Sequence, residues 1–251
     1  MTRTRVNAIG IIGPGRLGRS LAALFAGAGK TVALAGRGDP LPTTSILLLT
    51  VPDRAIAEVA KSIPAGPIVL HCSGACEVEL LRPHRPAGSL HPLMTFPGPE
   101  VALPNLAGVP AAVAGDPKAL EVGHELADTL GMRAFEVRGD RRLYHASAVM
   151  AGNFATVLLA EAARVLAAAG VDPDEAPDLL APLALQSLNN ARSHPSRSLT
   201  GPVARGDESV LAGHREALLA AGFTDLEALY ERLTDHARAL ITAHMEQGND
   251  R

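Results

Sequence analysis

The chain has 251 residues, of which 47% are hydrophobic, enough for one large or two ordinary domains with a real core. A net charge of -3 with no Lys/Arg-rich block excludes the concentrated basic surface that nucleic-acid binding needs, and no apolar run approaches the ~20 residues of a membrane helix. Two cysteines, Cys72 and Cys76, give no disulfide framework, and their Cys-x3-Cys spacing lacks the second ligand pair of a zinc site.

The expectation is therefore a soluble cytoplasmic protein that handles small molecules, with no bound metal, nucleic acid or membrane. Arg3 and Arg5 precede an apolar stretch only about one strand long, too short for a signal peptide. That stretch, NAIGII at 7–12, predicts the first strand and runs into GPGRLG at 13–18. Leu17, Leu21, Leu24 and Phe25 then recur at helical spacing until Gly27 and Gly29 end the helix. TVALAG (31–36), SILLLTV (45–51) and PIVLHCS (67–73) read as buried strands, with a short helix over 55–63. Weaker strands follow in GSLHPL, VPAAVAG and RAFEV.

After Arg138-Gly139-Asp140 only long helical patterns remain. The fold expected is α/β: a Rossmann-type parallel-sheet domain over 1–140, then an all-helical domain for substrate and dimerisation over 141–251. Residues 144–169 predict one continuous helix. Asp172-Pro173-Asp174-Glu175 and Thr224-Asp225-Leu226-Glu227 look like helix starts with capping glutamates. Behind the second, Leu226, Leu229, Tyr230, Leu233, Ala237, Leu240 and Ile241 form one apolar stripe.

Placed between a strand and a helix, Gly13-Pro14-Gly15-Arg16-Leu17-Gly18 reads as a dinucleotide loop. Gly13 would make the turn, Gly15 would admit pyrophosphate, and Gly18 would let the helix pack on the sheet. An NAD enzyme presents an acid at the end of the second strand, where this chain has Gly36-Arg37. Arg37 suits a 2′-phosphate and points to NADP; Asp39, two residues on, is the alternative as a displaced NAD ligand. Val51 and Pro52 after the third strand, and Ser73 after the fourth, fall where such sheets bind ligands.

The stretches GPGRLGRSLA, HCSGA, GSLHPLMTF, YHASAVMAGNF and LTGPVARGD resemble, over nearly the whole chain, a family joining a Rossmann-like domain to a helical C-terminal domain of unknown function. That family is similar in architecture to ketopantoate reductases, pyrroline-5-carboxylate reductases and hydroxyacid dehydrogenases of the 6-phosphogluconate type. The resemblance implies hydride transfer from a nicotinamide cofactor between two domains of a homodimer joined through its helices.

Hydride reduction of a ketone creates an alkoxide, so the site needs a proton donor and hydrogen-bond donors for the oxygen. The lysine that serves related dehydrogenases has no counterpart here, since no lysine follows Lys118. His145 is the candidate replacement, because histidine titrates near neutrality; its alternative is a structural histidine. In an unbroken helix Val149, Gly152 and Thr156 share its face, and Asn153 lies about 80° round, placed to bind a substrate carbonyl or carboxylate. Thr200 and Arg205 suit a carboxylate, and Asp207 either joins them or caps the next helix. His91 ends a strand where it can touch ligand, and Ser187, Asn189 and Asn190 are pocket candidates. Three readings result: an NADPH-dependent reductase of a small 2-oxo acid such as ketopantoate, a cyclic imine reductase, or an NADP-binding protein without turnover.

Overall fold

The structure, a computed structural model, describes residues 6–193 and 196–249; Arg3 and Arg5 lie outside them. The chain forms two compact units, Met1–Gly152 and Asn153–Arg251. The change from strands to helices after Asp140 and the division between units thus fall at different points of the chain.

Seven strands build the first unit: β1 (Ala8–Ile12), β2 (Thr31–Ala35), β3 (Ile46–Leu49), β4 (Ile68–His71), β5 (Ala87–Pro92), β6 (Pro110–Gly115) and β7 (Arg133–Glu136). They lie in the order β2-β1-β3-β4-β5-β6-β7. Strands β1 to β5 are mutually parallel. β6 runs antiparallel to β5, because residues 93–109 return it without a helical crossover, and β7 is again parallel to β6. The three weaker strands read from the sequence are β5, β6 and β7.

Alternation along each strand feeds two apolar layers, as the two-residue side-chain period requires. Ile9, Ile11, Leu48, Leu70 and Leu90 pack on one face with Leu21 and Phe25 of α1 (Arg16–Gly27) and Val122 and Leu126 of α3 (Pro117–Thr129). Ile12, Leu47, Leu49, Val69 and Ala87 pack on the other with Ile56 and Ala60 of α2 (Ile56–Ser62). The helix expected over 55–63 begins instead with a 3-10 turn, Asp53–Ala55.

The long helix expected over 144–169 is not continuous. It comprises α4 (Arg141–Val149), a π-helical stretch (Met150–Phe154) and α5 (Ala155–Ala168). A π turn breaks the count of 100° per residue, so the face-sharing argument from His145 to Gly152, Asn153 and Thr156 does not hold. By length and composition alone this run, Arg141–Ala168, could cross a membrane, which the sequence reading did not anticipate.

The second unit holds α5, α6 (Ala176–Ser193), α7 (Gly201–Arg205), α8 (Glu208–Ala220) and α9 (Thr224–Asn249). Asp172 accepts the Asp174 backbone N–H at 2.9 Å and organises the start of α6 as expected. Glu227 does not close a capping box on Thr224. It is buried and accepts from Arg215 Nε of α8 at 2.5 Å, a charge-assisted bond that outcompetes a local cap. The apolar stripe of α9 is only partly covered: Leu229, Leu233 and Leu240 are exposed and Leu226, Tyr230, Ala237 and Ile241 half-buried, whereas Glu227 and Thr234 are buried.

Candidate functional site

At the carboxyl ends of β1 and β3 the chain forms a recess of about 700 Å³. Gly13, Pro14, Gly15, Arg37, Asp39, Thr50, Val51 and Pro52 are among its lining residues. The glycine spacing has a steric cause. Gly13 adopts φ +114°, a left-handed conformation that strains any other residue. A Cβ on Gly18 would collide with the Gly13 carbonyl oxygen and lie 2.5 Å from Thr50 Oγ1. Thr50 Oγ1 donates to that same carbonyl at 2.7 Å, so strand end, loop and helix start lock together. Gly15 is exposed, with nothing within 4 Å of where a Cβ would stand, which leaves room for a phosphate against its backbone.

Arg16 is exposed in the first turn of α1, whereas Leu17 turns into the core and offers only its backbone to the loop. Asp39 accepts the Gly36 N–H at 2.8 Å, which employs its carboxylate in closing the β2 turn. Arg37 is left as the charged side chain of that turn that lines the recess without holding the turn closed.

A second cluster gathers where β4 and β5 end. His71 pairs in register with Ser89, and residues two apart in a strand share a face, so His71, Ser89 and His91 project from one side of the sheet, with Ser73 just beyond the end of β4. Over them lies the start of α4, capped by Asp140, whose Oδ1 accepts the Arg142 N–H at 2.8 Å. Arg142 holds the exposed Asp140 carboxyl down to about 2. Arg141, 2% exposed, donates through Nη2 to the Ser73 carbonyl at 2.9 Å, and its Nε and Nη1 are buried without partners. Tyr144 Oη and His91 Nδ1 are 2.7 Å apart. The ring of His145 stands edge-on to that of His91, with centroids 5.9 Å apart. Gly74 makes this approach possible, since a Cβ there would lie 2.7 Å from His145 Cδ2 and 2.9 Å from His91 Nε2.

Burial, with the Arg141 charge second, pushes His71 down to about 4. Burial, then His145 and Arg141, does the same to His91. Both rings are therefore neutral near pH 7. The Ser73 N–H donates to His71 Nδ1 at 3.2 Å, which puts the proton of the neutral ring on Nε2, itself buried without a partner. The Ser73 hydroxyl accepts from the Ala75 and Cys76 amides, and its side chain is buried and does not line the glycine-loop recess. Burial also pushes the Cys72 and Cys76 thiols up, away from reactivity.

His145 and Asn153 fall in different compact units. In the second unit Thr200 joins Asn189, Asn190, Ser193, Arg197 and Ser198 around a polar recess of about 330 Å³. Arg205 is not among them. Its guanidinium is bound to Asp207, with Nε and Nη2 each 2.8 Å from Oδ2. Asp207 in turn stands at the N-cap of α8 without capping it through its side chain. The short Arg-x-Asp spacing lets the two charges satisfy one another.

The sequence reading missed Arg141, Tyr144 and His71. The signals were two polar pairs, His71-x-Ser73 and Ser89-x-His91, interrupting buried strands at the same end, and Arg141, Tyr144 and His145 at helical i, i+3, i+4 spacing.

No curated protein matches the chain by sequence. Among solved structures it is similar to a candidate NADP oxidoreductase from Bacteroides fragilis, at 22% identity and TM-score 0.80, over 94% of this chain and 99% of that one. A 1-pyrroline-5-carboxylate reductase from Streptococcus pyogenes matches at 14% identity and TM-score 0.61, over 92% and 98%. A reductive aminase from Aspergillus terreus, in complex with NADPH and ethyl-5-oxohexanoate, matches at 17% identity and TM-score 0.65, over 95% and 99%. These likenesses establish the fold.

The buried neutral histidines tie stability to pH. Their folded pKa values lie below the unfolded value of ~6.5, so the unfolded chain binds more protons as pH falls from about 6.5 towards 4. Urea denaturation should show stability declining between pH 6.5 and 5, and His71→Asn should remove about one proton from that slope. A slope unchanged by the substitution would place His71 outside the coupling.

The description Domain of unknown function (DUF2520) fits residues 109–237, more than half of the chain, and on that match the chain belongs to the DUF2520 family.

Proposed function

We propose that the protein is an NADP(H)-dependent oxidoreductase that reduces a small 2-oxo acid. The observation that carries this reading is the arrangement along one sheet edge. The glycine loop ends β1, and the His91, Tyr144 and His145 cluster stands at the end of β5, three strand spacings away through β3 and β4. That separation is about 14 Å, which the nicotinamide half of an extended dinucleotide spans. The residues fit the cofactor: the exposed Gly15 backbone and the amides starting α1 for pyrophosphate, and Arg37 for the 2′-phosphate. A bound nicotinamide would supply the hydride. The NADP oxidoreductases among the similar structures, one named as bound to NADPH, support the same assignment.

Charge favours an anionic substrate. The cluster contains a buried guanidinium in no ion pair with a carboxylate, together with histidines kept neutral, so a carboxylate or developing alkoxide is stabilised there and an iminium cation is not. The resemblance in sequence makes ketopantoate the first 2-oxo acid to assay. The pyrroline-5-carboxylate reductase among the similar structures favours the second reading, a cyclic imine substrate. His145, half-buried beside Gly74, is the proposed proton donor.

We also propose a homodimer formed through the helices. Phe154, Val157, Leu179, Leu183 and Leu188 are all more than half exposed, and α5, α8 and α9 frame an apolar groove of about 500 Å³. A second copy would cover surface that a single chain leaves in water.

NADPH oxidation measured against 2-oxo acids and cyclic imines tests the reading. A 2-oxo acid is expected to turn over with NADPH preferred to NADH, and Arg37→Ala should erase that preference; turnover of imines alone would transfer the assignment to the second reading. His145→Gln should lower kcat by roughly 10² to 10⁴ while NADPH affinity holds, as for loss of a general acid. An active variant would assign His145 to structure. Light scattering at micromolar concentration should report twice the chain mass; a monomer contradicts the dimer.

A further inference from the structure

We propose that His91 is the hydrogen-bond donor that holds the substrate carbonyl oxygen, and that Tyr144 is the positioning residue that fixes it in its Nε2–H tautomer. This role rests on the reductase reading above. Two imidazoles meet at Gly74, and they present different edges to it. His145 turns the carbon Cδ2 towards the glycine, whereas His91 turns Cε1 and Nε2, both 2.9 Å from the position a Cβ would take. Of the two rings, His91 therefore offers a nitrogen at the end of β4.

The other nitrogen of His91 is already engaged, because Nδ1 lies 2.7 Å from Tyr144 Oη. A phenol donating into Nδ1 leaves the proton of a neutral ring on Nε2. Burial, offset only in part by the Arg141 guanidinium one helical turn before it, pushes the Tyr144 hydroxyl up, so the phenol keeps the proton that it donates. The ring has little freedom to turn: it stands edge-on to Tyr144 with centroids 5.6 Å apart and to His145 at 5.9 Å. Tyr144 is itself braced against Phe135 of β7, with centroids 6.0 Å apart.

The groups that act on His91 are Asp53 after β3, and Arg141 and His145 on α4, while His91 itself opposes the charging of His71 on β4. Asp53 favours the charged His91 ring, and Arg141 and His145 oppose it. A neutral imidazole polarises a carbonyl without surrendering its own proton. A bound nicotinamide would give up its C–H hydride to the carbonyl carbon, and the C=O π pair would move onto oxygen. His91 Nε2–H donates a hydrogen bond to that oxygen, and His145 transfers the proton that completes the alcohol. Holding the oxygen and protonating it are thus divided between two histidines.

Long-range ¹⁵N–¹H spectra of the full ¹⁵N-labelled chain, with His91 assigned by comparison with His91→Gln, read the tautomer directly. The expected result is a protonated Nε2 and a bare Nδ1 that persist from pH 8 to 5.5. Tyr144→Phe should convert this to a mixture of tautomers. It should also lower kcat roughly 10- to 100-fold, the usual effect of losing an orienting partner, with NADPH affinity unchanged. A wild-type ring protonated on Nδ1, or a Tyr144→Phe chain with tautomer and kcat both unaltered, overturns the proposal. Should Tyr144→Phe fail to fold, the wild-type spectrum decides alone. A chain that turns over neither carbonyl nor imine substrates overturns the reductase reading and the donor role with it, whereas a wild-type Nδ1–H ring overturns the donor role by itself.

Discussion

The bond from Arg141 Nη2 to the Ser73 carbonyl is the contact on which the rest of the site depends. Burying a guanidinium with no carboxylate partner costs several kcal/mol, and one carbonyl offsets only part of that. What the bond provides is position. It pins the first turn of α4 to the end of β4, and helical spacing then carries Tyr144 and His145 onto the same strand end. Gly74 completes the approach by lacking a side chain. Without the pin, nothing in the lengths of β7 and α4 would bring a phenol to His91.

The same cation sets the electrostatics. Histidines at a ligand site are usually discussed as cations, yet here Arg141 opposes protonation of both His71 and His91, in addition to burial. One permanent charge replaces several titrating ones. His71 and His91 therefore stay neutral across the physiological range, and their hydrogen bonds keep their direction. Asp53 and Glu77 act on the cluster in the opposite sense, Asp53 favouring the charged form of His91 and Glu77 that of Arg141, without entering an ion pair with Arg141.

The architecture was legible in the sequence because strand hydrophobicity and glycine sterics are local. Gly13 and Gly18 announced a turn and a close helix approach, and the structure shows the atoms that demand them. The residues around Gly74 were not legible, since they meet through sheet register: His71 and Ser89 are neighbours only because β4 and β5 pair. Spacing misled where opposite charges sat close together. Glu227 looked like a cap and is bonded instead to Arg215, and the spacing did not show that Arg205 and Asp207 are bonded to one another.

The π-helical stretch at Met150–Phe154 shows why helical arithmetic failed between His145 and Asn153. Counted as one α-helix, Tyr144, Ala148, Ala151, Ala155 and Leu158 would form a single stripe, so the residue that holds His91 would share a face with the leucine that lines the apolar groove. A π turn holds more residues than an α turn, so the α-helical count stops there. Leu158, Ala162, Val165 and Ala169 then keep their own 4, 3, 4 spacing along the groove, independent of the face that α4 commits to the sheet. A single stretch of chain can in this way serve a polar cluster at one end and an apolar surface at the other. Neither residue pattern need compromise for the other.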